Sequence, residues 1–236
     1  MAAEKEAKTT LELSETMITL LKQYGRLRIT VTFAVMCLFC FGLSLFRAFY
    51  SGTNVFLFLN WNLFLAFIPW LFSSFIVIHP KLQSKKLAVF IVLATWLLFF
   101  PNAPYILTDL FHLRLQLSMP VWFDLVLIMS FAWTGLLFGF MSLADIESFL
   151  RKFASPKITA AIVSLLLFLG SFGIYLGRYL RWNSWDIISE PLNLLYDIGD
   201  RFLDPLAHPR TWGVTLFMGL LLNLMYWSLK SIRATK

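Results

Sequence analysis

Apolar residues fall into six long stretches, and short polar segments between them hold almost all of the charge. The stretches are Leu27–Phe49, Val55–Ile78, Leu87–Phe100, Val121–Ala144, Ile158–Tyr179 and Trp212–Leu229. Lipid offers no partner to backbone N–H and C=O groups, so a chain crossing it must bond to itself, and a helix does so within one segment. About 20 apolar residues in a helix span a hydrocarbon core of about 30 Å. The pattern therefore predicts an all-α membrane protein, a bundle of six transmembrane helices over residues 26–230. The third stretch is short, rising only about 21 Å. It ends in Pro101-Asn102-Ala103-Pro104-Tyr105, where two prolines remove amide donors and disfavour helix in the residues before them. A broken helix is expected there, with an interfacial segment following. Non-helical backbone at that depth must be shielded by protein or line a wet cavity.

Two polar regions carry amphipathic patterns. Residues 1–25 form a tail in which Thr9 and Glu12 have capping-box spacing, and Leu13, Met17, Leu20, Leu21 and Tyr24 recur at helical intervals. A helix lying on the membrane surface fits this pattern, and a partner-docking helix is the alternative. Between the fifth and sixth stretches, Leu192, Leu195, Tyr196, Phe202, Leu203 and Leu206 trace an apolar stripe opposite Asn193, Asp197, Asp200 and Asp204. A second interfacial helix is expected there. The outer loops are then residues 101–120 and 180–211, and residues 231–236 form a short C-terminal tail.

Charge orients the chain. Fourteen of the twenty Lys and Arg residues fall in alternate segments, the two tails, the second-to-third connection and the fourth-to-fifth connection. The opposite segments hold Arg47, Arg114, Arg178, Arg181, Arg201 and Arg210, with no lysine. Because Lys and Arg resist translocation, the lysine-rich side is expected to be cytoplasmic, with both termini inside. Retention of these loops and contact with anionic headgroups account for the net charge of +7. No long basic stripe calls for nucleic acid. No cleaved signal peptide is expected, since no short apolar region followed by small residues opens the chain. Cys37 and Cys40 lie inside the first stretch and read as packing residues rather than a redox pair. Only 14% of the residues are charged, against roughly 25% in a soluble domain.

The candidate chemistry gathers at the outer rim. Asp109 and His112 share a helical face, and a carboxylate beside an imidazole fixes its tautomer and raises its basicity. Asp124 stands near the outer start of the fourth stretch as a support. The bland reading of Asp109 and His112 is a polar face meeting water and headgroups. Arg178 and Arg181 also share a face, with Tyr175 and Trp182 nearby. Guanidinium groups grip phosphate or carboxylate bidentately. Alternatively they pair with Asp109, Asp124 or Asp186 and lock the spans together. Trp182 and Trp185 read as ligand-stacking rings or as interfacial anchors. Asp197, Asp200 and Asp204 with His208 read as a solvated face, since Arg201 can neutralise Asp197, so neither a metal nor a cofactor is expected. The middle of the spans holds only mild polar groups such as Thr95, Ser130 and Thr134, which argues against a proton-coupled transporter.

Phe100-Pro101-Asn102-Ala103-Pro104-Tyr105, Thr108-Asp109-Leu110 and His112-Leu113, then Trp122-Phe123-Asp124, Gly173 to Arg178 and Arg181-Trp182-Asn183-Ser184-Trp185-Asp186 resemble, in this order, the bacterial membrane-protein family catalogued as domain of unknown function 1361. The resemblance covers roughly residues 85–215. It implies a multi-pass protein of the bacterial cytoplasmic membrane and carries no activity with it. It also implies that the proline segment and the Arg-Trp-Asn-Ser-Trp-Asp loop belong to one site, adding Asn102, Tyr105 and Asp186 to the candidates. The expected function is an outer-face site that binds, or modifies, an anionic lipid or lipid-linked headgroup. In that role Arg178 and Arg181 would hold the anion, Asp109 would orient His112 as general base, and Asp124 and Asp186 would support them. A transporter or flippase, and a non-catalytic assembly protein, are the rivals. No protein partner is legible.

Overall fold

Each apolar run becomes a helix because only a helix satisfies the backbone within one segment in lipid. The computed structural model describes residues 15–113 and 119–234. A short helix α1 (15–23) leads through a turn at Tyr24–Gly25 into α2 (Leu27–Ser51). There follow α3 (Phe58–Ile78), a 3-10 turn (Pro80–Ser84), α4 (Lys86–Phe99), α5 (Asn102–Tyr105) and a second 3-10 segment (Ile106–His112). The chain continues through α6 (Val121–Leu150), α7 (Pro156–Tyr179), α8 (Asp186–Ser189), α9 (Pro191–Leu203) and α10 (Pro209–Ala234). Six segments are long and apolar enough to cross a membrane, as the pattern predicts. Of the surface tail, Leu20, Leu21 and Tyr24 are half-buried and Met17 is exposed, while Thr9, Glu12 and Leu13 lie outside the described residues. Arg114 of the 101–120 segment also lies outside them.

Helix α6 is central, packing against α2, α3, α7 and the α5 region, and α10 packs on α7. It runs past the expected end at Ala144 to Leu150, which brings Asp145 and Glu147 into the bundle. The charges therefore gather at both rims rather than at one. At the rim carrying the termini, Arg26 pairs with Asp145, whose Oδ2 also accepts the Ser73 hydroxyl at 2.7 Å. At the opposite rim, Arg47 grips Asp124 with Nε–Oδ1 at 2.7 Å and Nη2–Oδ2 at 3.2 Å.

The expected break after α4 is a tightening of the helix instead. Phe100 and Pro101 keep right-handed helical angles, α5 follows, and the 3-10 turns carry the chain to His112. Ala103, Ile106, Thr108 and Asp109 are buried, so residues 101–112 form part of the bundle rather than an outer loop or a segment flat on the interface. Proline's fixed φ suits a helical first turn. Small residues on the neighbours leave room for it. A Cβ placed on Gly139 of α6 would lie 2.9 Å from the Ala103 Cβ, and one on Gly173 of α7 would lie 2.5 Å from the Pro101 ring. Gly170 faces Phe100 in the same way. In lipid, where apolar burial gives helices no reason to associate, close approach over small residues is what holds them together.

Helix α9 forms where the second stripe predicts a helix. Leu192, Leu195, Tyr196, Leu203 and Leu206 point away from the protein and are strongly exposed. Phe202 reaches the rings of Phe172 and Trp212, at 5.6 and 5.1 Å between centroids. Arg201 is buried and pairs with Asp197 at 3.3 Å and Asp200 at 3.6 Å. His208 meets Asp200 at 2.8 Å. An apolar stripe left uncovered by protein, with its polar face neutralised beneath, suits a helix lying in the headgroup boundary.

Candidate functional site

At the proline turn, side chains of the turn itself and of the far loop donate to the carbonyls that close α4. The Ser184 hydroxyl donates to the Leu98 carbonyl at 3.1 Å. Asn102 Nδ2 donates to the Phe99 carbonyl at 3.0 Å and to Ser184 Oγ at 2.9 Å. Side chains entering a broken ladder in this way re-satisfy buried backbone groups. The Pro-Asn-Ala-Pro turn and the Trp-Asn-Ser-Trp loop are thus joined by hydrogen bonds.

Between them lies a pocket of about 330 Å³. Leu97 and Leu98 of α4, Leu169, Phe172 and Leu176 of α7, and Leu194 and Ile198 of α9 supply its apolar wall. Asn62, Asn102, Tyr105, Asn183, Ser184, Trp182 and Trp185 supply its polar and aromatic part. Trp182 Nε1 donates to Asp197 at 2.7 Å, tying the loop to α9, and the Trp185 ring stands 6.5 Å from that of Trp61. Asp186 accepts from the Asn183 amide at 2.6 Å and from its side chain at 3.1 Å, so it closes the loop on itself.

The charged candidates lie beside the pocket rather than along its lining. Asp109 is buried and its carboxylate accepts from Arg178 at 3.1 Å and from Asn62 Nδ2 at 2.8 Å. Arg178 also donates to the Tyr105 hydroxyl at 3.3 Å and to the Thr108 carbonyl, and its guanidinium lies 5.1 Å from the Tyr105 ring. Its two terminal nitrogens are therefore engaged in holding residues 105–109 against α7, while Nε has no hydrogen-bond partner among the described residues. Tyr105 and Asn62 bridge this buried pair to the pocket.

His112 joins the cluster loosely. Its Nδ1 is 3.3 Å from the Asp109 main-chain oxygen and 3.7 Å from the carboxylate, and its ring packs on Phe58 at 5.2 Å. The carboxylate is already held by Arg178 and Asn62, and His112 does not line the pocket. Asp124 stands apart from this group, in its bidentate pair with Arg47. Arg181 is exposed, has a left-handed φ of 63°, and makes no ion pair among the described residues. Thr95, Ser130 and Thr134 each turn a hydroxyl back onto their own helix, at 2.9, 2.7 and 2.7 Å, and none of them lines the pocket.

Sequence reasoning missed Arg47 as the partner of Asp124, although a lone arginine inside an apolar run signals a buried pair. It also missed the apolar wall. Leu97, Leu169 and Leu176 carry no mark that separates them from leucines facing lipid. No curated protein and no solved structure matches the chain. The model of the family described as Protein of unknown function (DUF1361) matches residues 61–225, from Trp61 at the pocket to α10. The chain belongs to that family.

Proposed function

We propose that the pocket holds the apolar part of a membrane lipid or lipid-linked molecule, with the polar head against the side-chain amides of Asn62 and Asn183, each of which has one N–H already engaged. The observation that carries this is the pocket's make-up. Leucines wall a volume of about 330 Å³ beside a fixed set of amide and hydroxyl groups, the combination by which small-molecule sites bind and orient a ligand. Arg181, exposed and without an ion pair among the described residues, is a guanidinium free to meet an anionic head. Arg178 and Asp109 act as positioning groups that hold the Tyr105 wall. Binding is favoured over catalysis because the Asp109 carboxylate accepts its hydrogen bonds from Arg178 and Asn62, with His112 3.7 Å away. A chain of the bacterial cytoplasmic membrane, with both termini inside and this pocket outside, fits the charge bias of the loops.

Mass spectrometry of the intact chain released from detergent, with lipid identification, tests this reading. The wild type is expected to retain a specific lipid. Leu97→Trp, which fills the pocket from a side chain already 36% exposed, is expected to lose at least about tenfold of it, a loss of about 1.4 kcal/mol in binding. Equal retention by both would refute the pocket assignment. Orientation has its own check. A Trp185→Cys variant in intact cells is expected to react with a membrane-impermeant maleimide, and reaction only after lysis would invert the topology.

A further inference from the structure

A second pocket, at the rim that carries the termini, has a different chemistry. It measures about 270 Å³ and lies between α6 and α10. Leu137, Phe140, Met141, Ala144 and Leu229 supply its apolar part. Its polar part centres on Glu147, whose side chain is only 5% exposed. Tyr226 donates its hydroxyl to Glu147 Oε2 at 2.7 Å. Arg151 donates to Oε1 at 2.8 Å through Nη2 and at 3.1 Å through Nε, and Lys230 reaches the same oxygen. Two cations thus share one carboxylate oxygen. The cluster carries one positive charge beyond what Glu147 neutralises. Both cations keep a solvent-facing part, with the Arg151 side chain 49% and the Lys230 side chain 34% exposed. Lys230 also lies 4.7 Å over the Trp227 ring, which fixes its ammonium at the pocket edge.

We infer that this pocket is a binding site for an anionic glycerophospholipid of net charge −1, its phosphodiester on Arg151 and Lys230 and its acyl chain against Leu137, Phe140 and Leu229. Charge complementarity selects the occupant. One unneutralised positive charge matches a monoanionic headgroup, and guanidinium and ammonium together suit phosphate oxygens. The apolar half of the pocket has no use for a free phosphate ion. The neighbouring Lys152, bonded to Gln83 Oε1 at 2.7 Å, adds to the basic surroundings. Nothing in this assignment depends on the opposite pocket.

Glu147 makes the proposal testable in two directions, because it competes with the phosphate for the same donors. The detergent-solubilised full chain is titrated with phosphatidylglycerol, with phosphatidylcholine and with inorganic phosphate, and adducts are read by native mass spectrometry. Arg151→Gln is expected to weaken phosphatidylglycerol binding by roughly tenfold. Glu147→Gln keeps an acceptor for Tyr226 and releases both cations, so it is expected to tighten that binding severalfold. Thermal unfolding of each variant shows that it is folded. Opposite shifts in the two variants, with phosphatidylcholine bound more weakly, support the site. Failure of either variant to move the affinity, or equal binding of phosphatidylcholine, overturns it. Displacement of phosphatidylglycerol by millimolar phosphate alone would overturn the lipid assignment in favour of a free-anion site.

Discussion

Asp124→Asn is expected to lower the stability of the bundle by about 3–5 kcal/mol, the loss that follows when one member of a buried ion pair is removed. Arg47 and Asp124 are each only 1% exposed, and both carboxylate oxygens are engaged. An asparagine keeps one oxygen but no charge, so the Arg47 cation stays buried without the carboxylate that its Nε and Nη2 grip. For a chain of this size the corresponding fall in melting temperature is on the order of 10 °C. Replacing both partners by apolar residues of similar volume, Arg47→Met with Asp124→Leu, removes the uncompensated charge and is expected to recover most of the loss. Thermal unfolding of the four proteins in one detergent gives the coupling between the two sites. A single substitution as stable as the wild type would mean that the pair does not hold the first span to the fourth.

Gly173→Leu carries the second large effect. A Cβ at 173 already falls 2.5 and 2.7 Å from the Pro101 ring, which is rigid and cannot turn aside. Behind Pro101, Ala103 is pressed against Gly139, so the turn has nowhere to retreat. Overpacking of this kind costs about 1–3 kcal/mol for single methylenes and more for a branched side chain. The turn is therefore expected to leave its groove, taking the Asn102–Ser184 bond and the wall of the pocket with it. Gly173→Ala is expected to be net destabilising, even though alanine favours helix over glycine by about 1 kcal/mol. Gly42 on α2 supplies the contrast, since a Cβ there meets nothing within 4 Å. Gly42→Ala should be neutral or stabilising. Melting temperatures of the Ala variants with the same sign at both positions would contradict the groove.

Much of the fold was legible because lipid imposes a simple rule. Runs of leucine, isoleucine, valine and phenylalanine near 20 residues long mark spans whatever their neighbours are. The end of α6 was not legible, since Asp145 and Glu147 look like loop residues until Arg26, Ser73, Lys230 and Tyr226 from other helices reach them. The proline turn shows the same limit. Pro101 and Pro104 signal a break locally. Whether the chain tightens or unwinds depends on space left by Gly139, Gly170 and Gly173, which stand far away in sequence. At the site, the pairing of Arg178 with Asp109 was among the readings of the sequence, but the partner of Asp124 was not. Arg178 and Asp109 meet across 69 residues, and Asp124 goes to Arg47 across 77. The pocket's leucines had no local signature, because a wall residue and a lipid-facing residue are the same amino acid on opposite faces of a helix.

Photoactivatable lipid labelling, with the labelled peptides mapped, tests most directly whether the pocket beneath the Trp-Asn-Ser-Trp loop takes a lipid. Label is expected to concentrate on residues 97–105 and 182–198, well above its density on the lipid-facing side of α2 at Phe39 and Phe46, and to fall to that background in Leu97→Trp. Equal labelling of α2 and the pocket, unchanged by the filled variant, would contradict it.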